Sequence, residues 1–134
     1  MNDNPGLKKS SDINGTTEIN MLYDFYGGLL SKRQADVIEL YYEENLSLGE
    51  IAEQLKISRQ AVYDTLKRGV KLLKGYEDTL NLVKKYEREK EIYKSILLLL
   101  NTLEVQLVSN TGDKENFINI LENIKDRIED IINN

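Results

Sequence analysis

Two serines eleven residues apart constrain this chain more than any other feature. The stretch SLGEIAEQLKISRQAVYDTLKR, residues 47–68, opens with Ser47 and places Ser58 in its middle. Serine before an apolar-periodic run is a helix N-cap, because its hydroxyl satisfies an amide that the first turn leaves free. Glu50 follows Ser47 at the capping-box position. The spacing therefore predicts a short helix from Ser47 to about Leu55, a tight turn at Lys56-Ile57-Ser58, and a second helix from Arg59 to about Leu73. Ile51, Ala52 and Leu55 would face Ile57, Val62 and Leu66, with Ala52 small at the crossing. Two short helices so arranged form a helix-turn-helix.

The surrounding pattern is also helical. Residues 1–16 hold the only proline, two of the eight glycines and a cluster of Asn, Asp and Ser, which predicts a flexible tail. From about Glu18, Ile19, Leu22, Tyr23, Tyr26, Leu29 and Leu30 recur at helical steps. Gly27-Gly28 weakens this helix near its end and permits close packing. Ser31, with Gln34 three residues on, starts another helix with Ala35, Val37, Ile38, Leu40 and Tyr41 on its apolar side and Asn45 as its stop. Gly75 marks the end of the helix after Ser58, or a bend in it.

Beyond Glu77, Tyr86, Tyr93, Leu100 and Leu107 are spaced by seven, and Ile96 and Leu103 fall three after Tyr93 and Leu100. This reads as a heptad seam. Ser109-Asn110-Thr111-Gly112 is a turn, and the final helix repeats the seam as Phe117, Leu121, Ile124, Ile128 and Ile131. Ile96–Leu100 is apolar nearly all round, so the expectation is burial by both the last helix and a second subunit. No segment alternates with period two. The fold class expected is all α: a helix-turn-helix domain over 17–75, then C-terminal helices over 76–134 for dimerisation or partner binding.

Charge separates the segments. The net −5 resolves into −4 over residues 1–46, +3 over 47–76 and −4 over 77–134. Only the middle segment would attract a polyanion, and its flanks would repel one. The residues left outside the apolar contact on the second helix are Arg59, Gln60, Tyr63, Asp64, Lys67, Arg68 and Lys71. Such a helix lies in the DNA major groove with its N-terminal residues at base edges. Arg suits guanine and Gln suits adenine, while Lys67, Arg68 and Lys71 suit phosphates. Asp64 opposes this unless it meets a cytosine amino group or pairs with Lys67 or Arg68. The alternative is two ordinary core helices with solvated polar faces.

The chain has no cysteine and no histidine. Disulfides and thiolate metal sites are excluded, and the usual general base is absent. The carboxylates sit beside Lys and Arg at helical spacing, which suits solvated faces rather than a metal or hydrolase site. No phosphate-binding glycine loop occurs, so the expectation is no enzyme, no cofactor and no metal. The longest purely apolar run, Ile96–Leu100, is far below the roughly 20 residues that cross a bilayer. The N-terminus lacks an apolar core of the secretory type. A soluble cytoplasmic protein without membrane attachment is expected. Tyr23, Phe25, Tyr26, Tyr41 and Tyr42 could stack on RNA bases, but a tyrosine-rich core is the preferred reading.

A family resemblance adds to this. LLSKRQADVIELYYEENLSLGEIAEQLKISRQAVYDTLKRGVKLL resembles region 4 of bacterial sigma factors. More narrowly, LYDFYGGLLSKRQ, YYEENLSLGEIAE and SRQAVYDTLKR followed by LLKGYEDTL resemble the YlxM family of small helix-turn-helix proteins from low-GC Gram-positive bacteria. The resemblance covers about residues 19–90. It implies a DNA-binding regulatory protein acting in the signal recognition particle pathway, whose GTPase gene lies beside those of family members. The alternative is an RNA- or protein-binding accessory module of that particle, and the acidic overall balance together with Asp64 would then suit an acidic C-terminal half that binds a partner such as the GTPase. A homodimer would present two positive patches together, with half-sites about 34–36 Å apart on DNA.

Overall fold

The computed structural model describes residues 13–134, and among them there is no strand. The elements are α1 (Ile13–Tyr26), a single 3₁₀ turn (Gly27–Leu29), α2 (Lys32–Ile38), a wide helical turn (Glu39–Glu43), α3 (Leu48–Leu55), α4 (Arg59–Leu80), α5 (Leu82–Val108) and α6 (Lys114–Asn133). They fall into two compact units, divided along the chain between Val83 and Lys84. The boundary expected near residue 75 thus lies several residues later. Helix α1 begins at Ile13, inside the stretch read as a tail, and the rest of that stretch lies outside the described residues.

The first unit is organised by its caps. Ser31 accepts from the Gln34 amide at 3.2 Å, and Gln34 Oε1 accepts from the Ser31 amide at 3.1 Å. Ser47 and Glu50 repeat the reciprocal pair at 3.1 and 3.2 Å. Ser58 accepts from the Ala61 amide at 3.0 Å. Helix α3 stops at Lys56, which adopts φ 59° and turns the chain into α4. Helix α2 ends through the wide turn, where the Glu44 amide reaches back to the Glu39 carbonyl, and Asn45 then takes φ 59°.

Helix α4 packs against α1, α2 and α3. The core they share comprises Ile19, Leu22 and Tyr26 from α1; Val37 and Ile38 from α2; Tyr41; Leu48, Ile51 and Ala52 from α3; and Val62, Leu66 and Leu73 from α4. Leu55 and Ile57 pack against its edge. The expected helix-turn-helix contact is therefore present. Tyr26 and Tyr41 are core residues. Leu29, expected on the inner side of the first helix, is exposed because that helix stops at Tyr26 and the helical period ends with it.

Two glycines of α4 have distinct roles, and the one expected to end or bend the helix does not end it. Helix α4 runs through Gly75 to Leu80, and Asn81 at φ 54° is its stop. A glycine inside a helix weakens it by about 1 kcal/mol but does not terminate it, and contacts beyond Gly75 hold the helix. The buried Tyr26 hydroxyl donates to Glu77 Oε1 at 2.5 Å and accepts from the Leu82 amide at 3.1 Å, while Glu77 Oε1 also accepts from the Val83 amide at 3.0 Å. The first free amides of α5 are thereby satisfied. Burial and the neighbouring Glu77 carboxylate push the Tyr26 hydroxyl pKa up. Gly69 marks the close approach of α4 to α2: a Cβ there would lie 2.8 Å from Ile38 Cδ1.

The second unit is a pair of helices joined through residues 109–113. Its packing register corrects the expected seam. On α5 the half-buried apolar positions are Ile92, Ile96, Leu99 and Leu103, whereas Tyr86, Tyr93, Leu100 and Leu107 are exposed. On α6 Ile120 and Ile124 are buried and Phe117 and Ile131 half-buried, whereas Leu121 and Ile128 are exposed. Ile96 and Leu103 belong to both patterns, which is why the seven-residue spacing alone selected the neighbouring stripe. Among the described residues, no helix is long and apolar enough to cross a membrane.

Candidate nucleic-acid interface

The second helix of the helix-turn-helix, α4, buries Val62, Leu66, Gly69 and Leu73 on one side. Its other half carries most of the candidate residues. Arg59, Gln60, Lys67, Arg68 and Lys71 are exposed, and Tyr63 and Asp64 are half-buried. At 1.5 Å per residue, Arg59 and Lys71 stand about 18 Å apart along the axis. The 100° step sets Lys67, Lys71 and Arg68 across the exposed half, whereas Arg59 lies nearer the buried side, toward α3. Lys74, exposed one turn beyond Lys71 and Val70, extends the cationic strip.

Neighbouring side chains engage four of these groups in two pairs. Gln60 Nε2 donates to Asp64 Oδ1 at 3.0 Å. Asp64 is engaged by Gln60, four residues before it on the same strip of helix, rather than by Lys67 or Arg68, so neither pairing that would offset its charge is made. The pair occupies the middle of the exposed half, so a carboxylate sits among the cations and the Gln60 amide is already engaged. Tyr63, expected on the open side, packs partly on the core. Lys67 Nζ lies 5.8 Å from the centre of its ring, a cation–π distance.

Arg59 is positioned by α3. A Cβ on Gly49 would lie 2.9 Å from Arg59 Nη2 and 3.0 Å from Nε, so the guanidinium rests against the bare backbone of Gly49. Sequence reasoning did not single out Gly49. The available signal was a glycine in the first turn of a capped helix, where it gives no helix-forming advantage.

At the far end of the strip, Arg68 and Lys71 border an open groove with Gln34 of α2 and Leu72, Tyr76 and Thr79 of α4. The groove is mostly apolar on its floor and cationic along one rim. Tyr23, on α1, donates to Glu39, and burial followed by that carboxylate pushes its hydroxyl pKa up to about 12. Among the described residues no cluster of His, Cys, Asp or Glu could hold a metal ion. The arrangement offers a polyanion a cationic strip with one carboxylate at its centre. It offers a base edge fewer unengaged donors than the sequence alone suggests.

Comparison with known proteins gives the same family throughout. The family described as "Putative helix-turn-helix protein, YlxM / p13 like" (UPF0122) matches residues 13–108. A UPF0122 protein of Desulforamulus reducens is 53% identical over 87 residues, covering 65% of this chain and 72% of the relative. One from Acetivibrio thermocellus is 42% identical over 115 residues, covering 86% and 94%. The UPF0122 protein YlxM of Bacillus subtilis is 41% identical over 107 residues, covering 80% and 90%.

Proposed function

The chain belongs to the UPF0122 family of YlxM / p13-like helix-turn-helix proteins, and from that premise we propose that it is a DNA-binding regulatory protein of the sigma-region-4 type. Helix α4 docks in the major groove and the chain acts as a homodimer through its C-terminal helices. The observation that carries this reading is the exposure of Lys67, Arg68 and Lys71 on the half of α4 turned away from the core, with Arg59 exposed beside α3 at the helix start. Phosphates take Lys67, Arg68 and Lys71, and base edges take Arg59 and Gln60. The YlxM resemblance supports a role in the signal recognition particle pathway.

One observation favours a second reading. The Gln60–Asp64 bond engages the amide that would read adenine, and a carboxylate stands among the cations. The first leaves fewer donors for base reading and the second repels phosphate, so both weigh against sequence-specific docking in DNA. The second function is therefore an accessory module of the signal recognition particle that binds RNA or protein and does not bind DNA specifically.

Fluorescence anisotropy with duplex DNA and with structured RNA tests both. Arg59→Ala with Lys67→Ala is expected to weaken binding about tenfold or more. It should also flatten the salt dependence by about one unit of slope for each phosphate that is no longer neutralised. Equal binding by the double variant, or no binding of either nucleic acid at low salt, removes the α4 interface. Binding that is tight on RNA and indifferent to DNA sequence selects the second reading.

A further inference from the structure

The two helices of the second unit carry apolar side chains on two sides, and only one side is used between them. Arg88 Nη2 meets Asp130 Oδ2 at 2.8 Å, Arg127 Nε donates to Ser95 Oγ at 2.9 Å, and Asn116 Nδ2 donates to Gln106 Oε1 at 2.5 Å. These pairs converge on the connection at 109–113, so α5 and α6 run antiparallel. Their contact line is Ile92, Ile96, Leu99 and Leu103 against Phe117, Ile120, Ile124 and Ile131.

Beside that line runs a second stripe on each helix. On α5 it is Tyr93, Leu97, Leu100 and Leu107, each 44% to 59% exposed. On α6 it is Ile118, Leu121, Ile128 and Ile132, each 42% to 73% exposed. With 3.6 residues per turn, both stripes are displaced about a quarter turn from the contact line, in the same angular sense. Two antiparallel helices with equal displacement present both stripes on the same side of the pair. The result is one continuous apolar face.

We propose that this face is the docking surface for a second copy of the chain, and that two hairpins close across a two-fold axis into a four-helix bundle. The inference deepens the homodimer named above and depends on no nucleic-acid contact. Three observations favour a second copy as the occupant. Within residues 84–134 the buried apolar side chains are Ile120 and Ile124, so the hairpin gains a real interior only when another apolar face covers it. A stable interface buries on the order of 800 Å² per partner, roughly what eight half-exposed Leu, Ile and Tyr side chains with their surroundings supply.

The third is charge. Residues 84–94 carry five basic and three acidic side chains, and residues 113–134 carry three basic and six acidic ones. A two-fold axis running along the bundle sets α5 of one copy beside α6 of the other, whereas one across it would set like helices together. The first placement thus repeats between copies the attraction that joins Arg88 to Asp130 within one.

Sedimentation equilibrium on the full chain tests this. The expected wild-type mass is twice 15.5 kDa. Leu97→Glu with Leu100→Glu is expected to raise the dimer dissociation constant at least tenfold. Val105→Glu, on the far side of α5, is expected to leave it unchanged. A monomeric wild type at about 100 μM overturns the proposal, as does a double variant that dimerises normally or a Val105 variant that dissociates equally. The chain lacks cysteine, so cross-linking gives a check independent of charged substitutions. Leu100→Cys should yield a covalent dimer with a bis-maleimide and Val105→Cys should not; the reverse pattern rejects this face. Nucleic-acid binding measured on the same samples separates the two readings. A dimer that binds no nucleic acid removes only the α4 interface, and a binding-competent monomer removes only the bundle.

Discussion

The two units of this chain differ in what they do with apolar side chains. In residues 13–83, Tyr26, Val37, Ile38, Tyr41, Ile51, Val62, Leu66 and Leu73 are essentially inaccessible, although Leu29, Leu72 and Leu80 remain exposed. In residues 84–134 eight of the fifteen Leu and Ile side chains are exposed, and only Ile120 and Ile124 are buried. The first unit has four helices around a shared centre, so each helix can turn its apolar stripe inward. The second has two, and a pair of helices can cover one stripe each but not two. Self-sufficiency is therefore a property of the first unit, and a need for covering is a property of the second.

The sharpest way to break that contrast is to remove the same side chain from each unit. Leu66→Ala leaves a cavity at the centre of the first unit and is expected to cost about 2–5 kcal/mol by chemical denaturation. Leu98→Ala, on an α5 position 67% exposed and off the proposed dimer face, should cost under about 0.5 kcal/mol. Comparable losses at both positions would show that the second unit has an interior of its own.

Glycine substitutions sharpen the comparison within α4. Gly69→Ala forces a methyl to within 2.8 Å of Ile38 Cδ1 and is expected to cost about 1–3 kcal/mol through overpacking. Gly75→Ala meets nothing within 4 Å and is expected to stabilise by up to about 1 kcal/mol, because it removes a flexible residue from a helix interior. Thermal unfolding of the two variants should therefore shift in opposite directions. Matching shifts would mean that the α2–α4 crossing is looser than described.

The smallest effect is alkaline. The Tyr23 hydroxyl has its pKa raised from 10.0 to about 12 by burial and by Glu39. A raised pKa in the fold means that the protonated phenol contributes stability fully below about pH 10, and that this contribution fades as pH rises through about 12. Tyr23→Phe should lower stability slightly at neutral pH and make it less sensitive to pH in that window. An ultraviolet absorbance titration in which every tyrosine ionises near pH 10 would contradict the burial of this hydroxyl.

Much of the first unit was legible in the residues. Ser31, Ser47 and Ser58 each cap a helix as their spacing implied, because capping is a local bond between a hydroxyl and an amide three residues on. The turn at Lys56 and the inward set Ile51, Ala52, Val62 and Leu66 followed from periodicity. The candidate site was legible as a set of exposed cations, but its internal wiring was not. Gln60 with Asp64, Lys67 over Tyr63, and Arg59 against Gly49 depend on rotamers and on the approach of α3, and no spacing rule reports either. In the second unit, two overlapping heptad patterns were available on α5. The choice between Tyr93-Leu100-Leu107 and Ile92-Leu99-Leu103 was settled only by where α6 lies.

By itself, then, the amino-acid order determined the all-helical class, the helix starts and the place of the basic strip, because each rests on interactions within one or two turns. Tertiary structure decided how far α4 extends, which stripe of α5 meets α6, and which cationic and polar groups of α4 are already engaged. Those outcomes depend on contacts between residues far apart in the chain, such as Tyr26 with Glu77 and Ser95 with Arg127. Local periodicity leaves such contacts degenerate, and packing alone selects among them.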